Sequence, residues 1–291
     1  MTGLGDRGRG LGDQLAPPTP TPKPQPPTPQ LARVVDGKTL VFKLGGSVGR
    51  EDTLPEDTRI LQEAGARVVL VHGGGPLITS WLDRIGKETR FVDGLRYTDE
   101  ETLDIVRMVL GGLVNGEVVA RLGQAGVKAI GLSGSDDTLL VAQVRDERLG
   151  RVGEIASVNA QPIRLQLERD YAVAIAPVAV DSAGNGFLNV NADTAAAQIA
   201  IALDADALIF LTDVAGVSDG SENGPIHALT EAAARRLMRS GVIAGGMIPK
   251  VDGCLSAWSA KRRAQIIDGR QPHAVIDALL HPETVGTTVT P

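Results

Sequence analysis

The chain opens without hydrophobic periodicity and acquires it abruptly near residue 34. Before that point residues 16–30 read APPTPTPKPQPPTPQ. Proline removes amide donors and favours extended polyproline geometry. Residues 1–33 are therefore expected to form a disordered, proline-rich tail, either solvated or docked on a proline-reading partner. Gly3, Gly5 and Gly8 spell G-x-G-x-x-G, but no strand precedes them and the match is treated as chance. Beyond the tail, short β-rich apolar runs alternate with longer stretches of helical period. The runs predict strands at 39–44, 67–72, 128–131, 139–144, 172–176, 208–212 and 264–267. The stretches between predict helices near 56–64, 76–85, 99–124, 193–203, 230–240 and 250–262. Continuous apolar strands separated by helices indicate an α/β fold, with a mostly parallel sheet covered on both faces. The run 139–144, followed by charged residues, reads as a hairpin arm at an edge. Thr98 with Glu101 fits a capping box opening the long 99–124 helix. No internal repeat is evident.

Composition narrows the classes. With 291 residues, 43% of them hydrophobic, the chain can bury the core of one large domain or two lobes. Aromatic residues make up only 3%, so that core rests on Val, Leu, Ile and Ala. The net charge of −6 argues against a strongly basic face for nucleic acid. Cys254, the only cysteine, excludes an internal disulfide and a multi-cysteine zinc site, and reads as a core or helix residue. His72, His227, His273 and His281 lack metal-ligand spacing, so no protein-held metal is expected. No apolar run has the length of a membrane span, and no signal-peptide core begins the chain. A cytoplasmic location is the resulting expectation.

The candidate chemistry lies where strands end, the usual ligand edge of such sheets. Lys43-Leu44-Gly45-Gly46-Ser47 follows the first strand. Its glycines allow close backbone approach to an anion, and Lys43 could reach the same anion. The bland alternative is a tight turn with a surface lysine. His72-Gly73-Gly74-Gly75-Pro76 places bare amides at a helix start, with His72 read as a locally hydrogen-bonded strand end. Arg96, in GLRYTD, is either a solvated loop residue or a bidentate clamp for a carboxylate. Asn189-Val190-Asn191-Ala192-Asp193 leads into an Ala-rich helix. Asn191 suits its cap, while two Asn and an Asp together could also orient substrate and lysines. Asp213 follows a further strand, and Lys250 follows Gly245-Gly246 by a few residues. Walker, protein-kinase and serine-hydrolase patterns are absent. Glycine loops, two lysines and one aspartate suit phosphoryl transfer, in which the protein mainly positions charge.

Taken in order, KLGGS, VHGGGP, GLRYTDEET, NVNAD, LTDVAGV, GGMIPKV and IIDGRQPHA resemble the amino acid kinase family over about residues 41–288. The resemblance implies a three-layer αβα sandwich of two lobes. About 34–180 would bind the amino-acid substrate and dimerise, and about 181–291 would bind ATP. GGMIPKV and IIDGRQPHA point to the branch that phosphorylates the side-chain carboxylate of N-acetyl-L-glutamate in arginine biosynthesis. Carried over, Lys43 and Lys250 would stabilise the moving phosphoryl group, with Asp193 holding both. Gly45, Gly46, Gly74 and Gly75 would offer amides to it and to substrate. Arg96 would clamp a substrate carboxylate, and Asn189 would bind the same molecule. Asp213, Val214, Ala215, Gly216, Val217 and Ser218, with Val242, Ile243 and Ala244, would contact ATP, whose phosphates carry Mg2+. The two lysines, distant in sequence, would meet across a groove that closes around ATP.

The chain departs from that pattern in places. Asp137 stands where relatives more often carry Gly, and the segment after KLGGS is short. The proline-rich tail replaces an amphipathic helix that builds hexamers, and Ala278 and Thr284 stand at Glu and Gly positions of arginine-inhibited members. A homodimer insensitive to arginine is expected. The alternatives are an aminoadipate-type carboxylate kinase of lysine biosynthesis and a non-catalytic ligand-sensing relative. The presence of Lys43, Asp193 and Lys250 counts against the second.

Overall fold

The computed structural model describes residues 28–45, 53–92, 94–221, 224–258 and 262–290. In chain order, α1 (Pro29–Val35) leads to β1 (Thr39–Leu44), α2 (Leu54–Glu63), β2 (Arg67–His72), α3 (Gly75–Arg84), β3 (Phe91–Val92) and β4 (Leu95–Arg96). Next come α4 (Glu100–Arg107), a π-helical segment (Met108–Val114), α5 (Asn115–Gln124), β5 (Ala129–Ser133), β6 (Leu140–Val144), β7 (Val152–Val158), α6 (Gln161–Leu167), β8 (Ala172–Ala176), β9 (Val178–Asp181) and β10 (Phe187–Val190). The chain continues with α7 (Ala192–Leu203), β11 (Ala207–Thr212), β12 (Ala228–Thr230), α8 (Glu231–Arg239), α9 (Met247–Ala257), β13 (Arg263–Asp268), α10 (Ala274–Leu280) and β14 (Thr287–Thr290).

Eight strands form one sheet in the order β12-β14-β13-β11-β1-β2-β8-β5. Every neighbouring pair is parallel except β13 with β14. The central strands are mostly apolar runs, buried on both faces. Side chains of a strand alternate between faces, and the two cores follow that alternation. Leu40, Phe42 and Leu44 of β1 pack with α1, α2, α5 and α10. Val41 faces the opposite way, toward α6, α7 and α9. The result is the expected three-layer arrangement. A second, closed group of four strands, β10-β7-β6-β9, caps one end. β6 is indeed a hairpin arm, antiparallel to β7, but in this separate group rather than at the edge of the main sheet. β9 runs through the boundary expected near 180.

Three local readings need correction. Folded structure begins before residue 34: Pro29 occupies the first turn of α1, Thr28 Oγ1 accepts from Leu31 N at 3.2 Å, and Leu31 and Val35 are buried. Residues 1–27, on which the rest of the tail expectation falls, lie outside the described residues. Asp99, not Thr98, caps α4, accepting from Thr102 N at 2.9 Å. Thr98 is buried instead, its hydroxyl donating to Arg96 O at 3.0 Å. The long helix also widens into the π-helical segment between α4 and α5. Asp137 and Thr138 adopt left-handed φ of 47° and 51°, a region that favours glycine. At the carboxyl edge, His273 Nδ1 lies 2.6 Å from Asp57 Oδ1, joining the start of α10 to α2.

Candidate active site

The lysine pair is built by strand alternation and a helix cap. Lys43 leaves β1 on the face of Val41, toward α7. Asn191 caps α7, its Oδ1 accepting from Asp193 N at 2.8 Å and Thr194 N at 3.1 Å. That places Asp193 in the first turn, where a carboxylate suits the helix dipole. Lys43 Nζ lies 2.9 Å from Asp193 Oδ1, and Lys250 Nζ lies 2.9 Å from Asp193 Oδ2. Lys250 also donates to Gly246 O at 3.0 Å, across the first turn of α9. Gly253 lets α9 approach the sheet: a Cβ there would stand 2.9 Å from Phe210 Cζ. All three charged side chains are largely buried. Burial lowers the pKa of Lys43 below its ordinary value, against the pull of Asp193, and Lys250 lowers it further. Burial and the nearby Asp193 push the Cys254 thiol up, which leaves it an inert core residue.

A cavity of about 470 Å³ opens at the carboxyl ends of β2 and β8 and brings together Gly74, Gly75, Arg96, Asn189 and Asn191. Arg96 is held rigidly. Its Nη2 donates to Gly75 O at 3.0 Å and Thr79 Oγ1 at 2.9 Å, and its guanidinium sits 5.0 Å from the centre of the Phe91 ring. It has no acidic partner among the described residues, and burial lowers its pKa. A buried guanidinium without a counterion, lining a cavity, is suited to an anionic ligand. Asn189 Nδ2 donates to Thr98 Oγ1 at 3.1 Å. The hairpin β3–β4 that carries Arg96 is braced by Lys87, whose Nζ lies 2.8 Å from Asp99 and 2.6 Å from Glu101. Gly74 must be glycine for space, since a Cβ would meet Leu110 Cδ2 at 2.6 Å. The amides of Gly74 and Gly75 have no partner among the described residues, as expected at a helix start.

Other expected site residues are placed differently. Gly45 does not offer its amide to a ligand: its N–H donates to Leu211 O at 3.0 Å, extending the β1–β11 ladder. Gly46 lies outside the described residues. After β11, Asp213, Val214, Ala215 and Ser218 are exposed, whereas Gly216 and Val217 are buried. Val217 donates its amide to Thr287 Oγ1 at 2.8 Å. Val242 and Ala244 are exposed, but Ile243 is buried and donates its amide to Leu237 O at 3.1 Å. Val217 and Ile243 thus anchor their segments from the core, and their side chains face away from any ligand at the surface. Thr79 and Leu110 line the cavity and were not read from sequence, because only the fold brings them there; Thr98, read as a cap, instead holds Asn189.

A phosphoryl-transfer kinase is the class this arrangement defines: paired buried lysines on one carboxylate, beside an anion-suited cavity, at the ligand edge of a parallel sheet. Residues 38–268 match the amino acid kinase family, and the chain belongs to that ATP-using family. It is 42% identical over 271 residues to a protein of Methanoculleus marisnigri named acetylglutamate kinase, covering 87% of this chain and 93% of the relative. A Synechocystis protein of the same name is 44% identical over 248 residues, covering 82% and 83%. Among solved structures, smu.665 from Streptococcus mutans superposes with a TM-score of 0.74 at 28% identity, covering 87% of this chain and 98% of that one.

Proposed function

We propose that the chain is an acetylglutamate kinase, transferring the γ-phosphoryl group of ATP to the side-chain carboxylate of N-acetyl-L-glutamate. The observation that carries this reading is the single carboxylate of Asp193 bridging Lys43 and Lys250 at 2.9 Å each. A carboxylate oxygen attacks the γ-phosphorus, the bond to the β-bridging oxygen breaks, and ADP leaves with the electron pair. The acceptor is already ionised at neutral pH, so no general base is required. The two ammonium groups offset charge on the transferring oxygens and the leaving group, already oriented before reaction. Arg96 and Asn189 seat the acceptor in the cavity, and the Gly74 and Gly75 amides face the phosphoryl path. The exposed parts of 213–218 and 242–244 meet the nucleotide.

Magnesium neutralises phosphate charge when bound with ATP. Asp193 is committed to the two lysines, so the ion would enter with the phosphates of ATP. The half about 34–180, joined by Asn189 from the other half, holds the acceptor, the half about 181–291 holds the nucleotide, and the groove between them narrows when ATP binds. Equal separation of the halves with and without nucleotide would count against that closure. The assembly is read as a homodimer unresponsive to arginine; a hexamer in solution, or inhibition by millimolar arginine, would sink that part. The activity is tested by incubating the chain with ATP, magnesium and N-acetylglutamate and trapping the acyl phosphate as a hydroxamate. Aspartate, glutamate and N-acetylaminoadipate serve as control acceptors, and a preference for any of them overturns the assignment.

A further inference from the structure

A polar cluster behind the glycine turn has no part in the chemistry above. His72 ends β2 and is 2% exposed. Its Nδ1 lies 3.0 Å from Gly73 O, and its Nε2 lies 3.0 Å from Asn115 Nδ2. The same Asn115 nitrogen reaches Ala174 O at 3.1 Å. A carbonyl only accepts, so Ala174 fixes which end of the Asn115 amide is the nitrogen, and Asn115 donates to His72 Nε2. Gly73 O likewise requires the proton on Nδ1. The tautomer is therefore set from both sides. Burial pushes the His72 pKa down to about 4, so the ring is neutral at physiological pH.

The Gly73 carbonyl and the Gly74 amide belong to one planar trans peptide, in which C=O and N–H point in opposite directions. Holding the carbonyl against the His72 ring aims the Gly74 N–H away from it, on the cavity side. That N–H has no partner among the described residues, and Gly74 lines the cavity. The surroundings leave the turn little freedom. Leu110 and Val114 of the π-helical segment crowd Gly74, and Asn115 is the first residue after that segment. Gly131 makes room for Asn115, since a Cβ there would stand 1.8 Å from Asn115 Oδ1. π-Helical widenings recur at functional sites, and this one backs both the glycine turn and the histidine.

We propose that His72 and Asn115 are positioning residues for phosphoryl transfer, locking the Gly73–Gly74 peptide so that its N–H is presented to the transferring group. The proposal rests on the kinase reading. An asparagine at position 72 carries its amide nitrogen where imidazole has Nδ1 and keeps the donor to Gly73 O. A glutamine reaches instead toward Asn115 and leaves that carbonyl free.

The test compares His72→Asn and His72→Gln in the hydroxamate assay, with thermal unfolding recorded for each. The kcat of His72→Gln should fall about 100-fold, the scale for misplacing one preorganised transition-state donor. The KM for N-acetylglutamate should stay within about twofold, and His72→Asn should retain kcat within about threefold. A histidine serving only the fold would lower the melting temperature without dividing the two variants in kcat. Nitrogen NMR of labelled wild-type protein, which requires no variant to fold, should show the proton on Nδ1. Wild-type turnover with an unimpaired His72→Gln, an equal loss in both variants, or a proton on Nε2 each overturns this proposal alone. No acyl phosphate from the wild-type chain overturns the kinase reading and this proposal with it.

Discussion

Replacing Asp193 by Asn removes one negative charge from between two buried ammonium groups and changes little else in shape. At 2.9 Å and an effective dielectric of about 20, each ion pair is worth about 6 kcal/mol before desolvation is counted. Keeping the carboxylate out of water opposes most of that, and removing one partner of a buried pair costs about 3–5 kcal/mol in practice. For a chain of this size that corresponds to a fall in melting temperature of about 6–20 °C. Lys43 sets how the deficit varies with pH. Its folded pKa already lies below 10.5, and losing Asp193, which raises it, depresses it further. A base with a depressed folded pKa is penalised while charged. The penalty is complete below the folded value and fades as pH rises through it. The stability gap between Asp193→Asn and wild type should therefore narrow between neutral pH and a pH near 10.5, the unfolded value. Chemical denaturation at both pH values measures it, and kcat at neutral pH should drop about 100-fold or more. A variant within about 1 kcal/mol of wild type, or a gap that does not narrow, refutes the idea that Asp193 neutralises this pair.

Three other substitutions probe separate features. Arg96→Lys cannot reproduce the two Nη2 bonds to Gly75 O and Thr79 Oγ1 and should raise KM for N-acetylglutamate about tenfold or more with a smaller change in kcat; an unchanged KM would remove Arg96 from the acceptor site. Asp137→Gly relieves a left-handed backbone and should stabilise by about 1 kcal/mol, raising the melting temperature by about 2–4 °C in calorimetry. At the Asp57–His273 contact, burial pushes Asp57 up to about 6, and the hydrogen bond to Asp57 raises His273. Both folded values exceed the unfolded ones, so each group's contribution falls as pH rises, through about 3.8–6 for Asp57 and from 6.5 upward for His273. Melting scans from about pH 5 to 8 should fall less steeply for Asp57→Asn than for wild type.

β1, β2 and β8 were legible to the residue because each is built round a continuous apolar run, broken only toward its ends by Thr39, Lys43, Arg67 and His72. Thr39–Leu44 is buried at all six positions, so run length and strand length coincide. The closed group at one end was mostly invisible. β7 reads VGEIASV, and only its first two residues are buried, so neither alternation nor a continuous run marks it. Thr98 and Asp99 show how a cap can be misread by one residue: both could cap, and contacts with β10 and Gly150 claim Thr98. The lysine and aspartate positions stood out through their motifs. Their meeting was expected from the family resemblance alone, because no spacing in the sequence joins Lys43, Asp193 and Lys250; the order of strands in the sheet does. Gly45 shows the opposite limit: a glycine beside a lysine suggested a free amide, and the neighbouring strand had already taken it.

The segment Asn189–Asp193 contributes to the acceptor cavity at one end and anchors both lysines at the other, within a single helix entry. Those two duties cannot drift apart, because any shift of Asn189 or Asn191 also moves Asp193. The opposite wall is different. The β3–β4 hairpin with Arg96 and Phe91 is fastened by Lys87 to the start of α4 and meets the glycine turn through Arg96 Nη2 and Gly75 O. The site therefore has one wall welded to the reaction machinery and one tied to it through a single side chain, Arg96. Directed changes of acceptor should begin in residues 87–97 other than Arg96, where side-chain size and charge can be altered while the geometry of phosphoryl transfer is left in place.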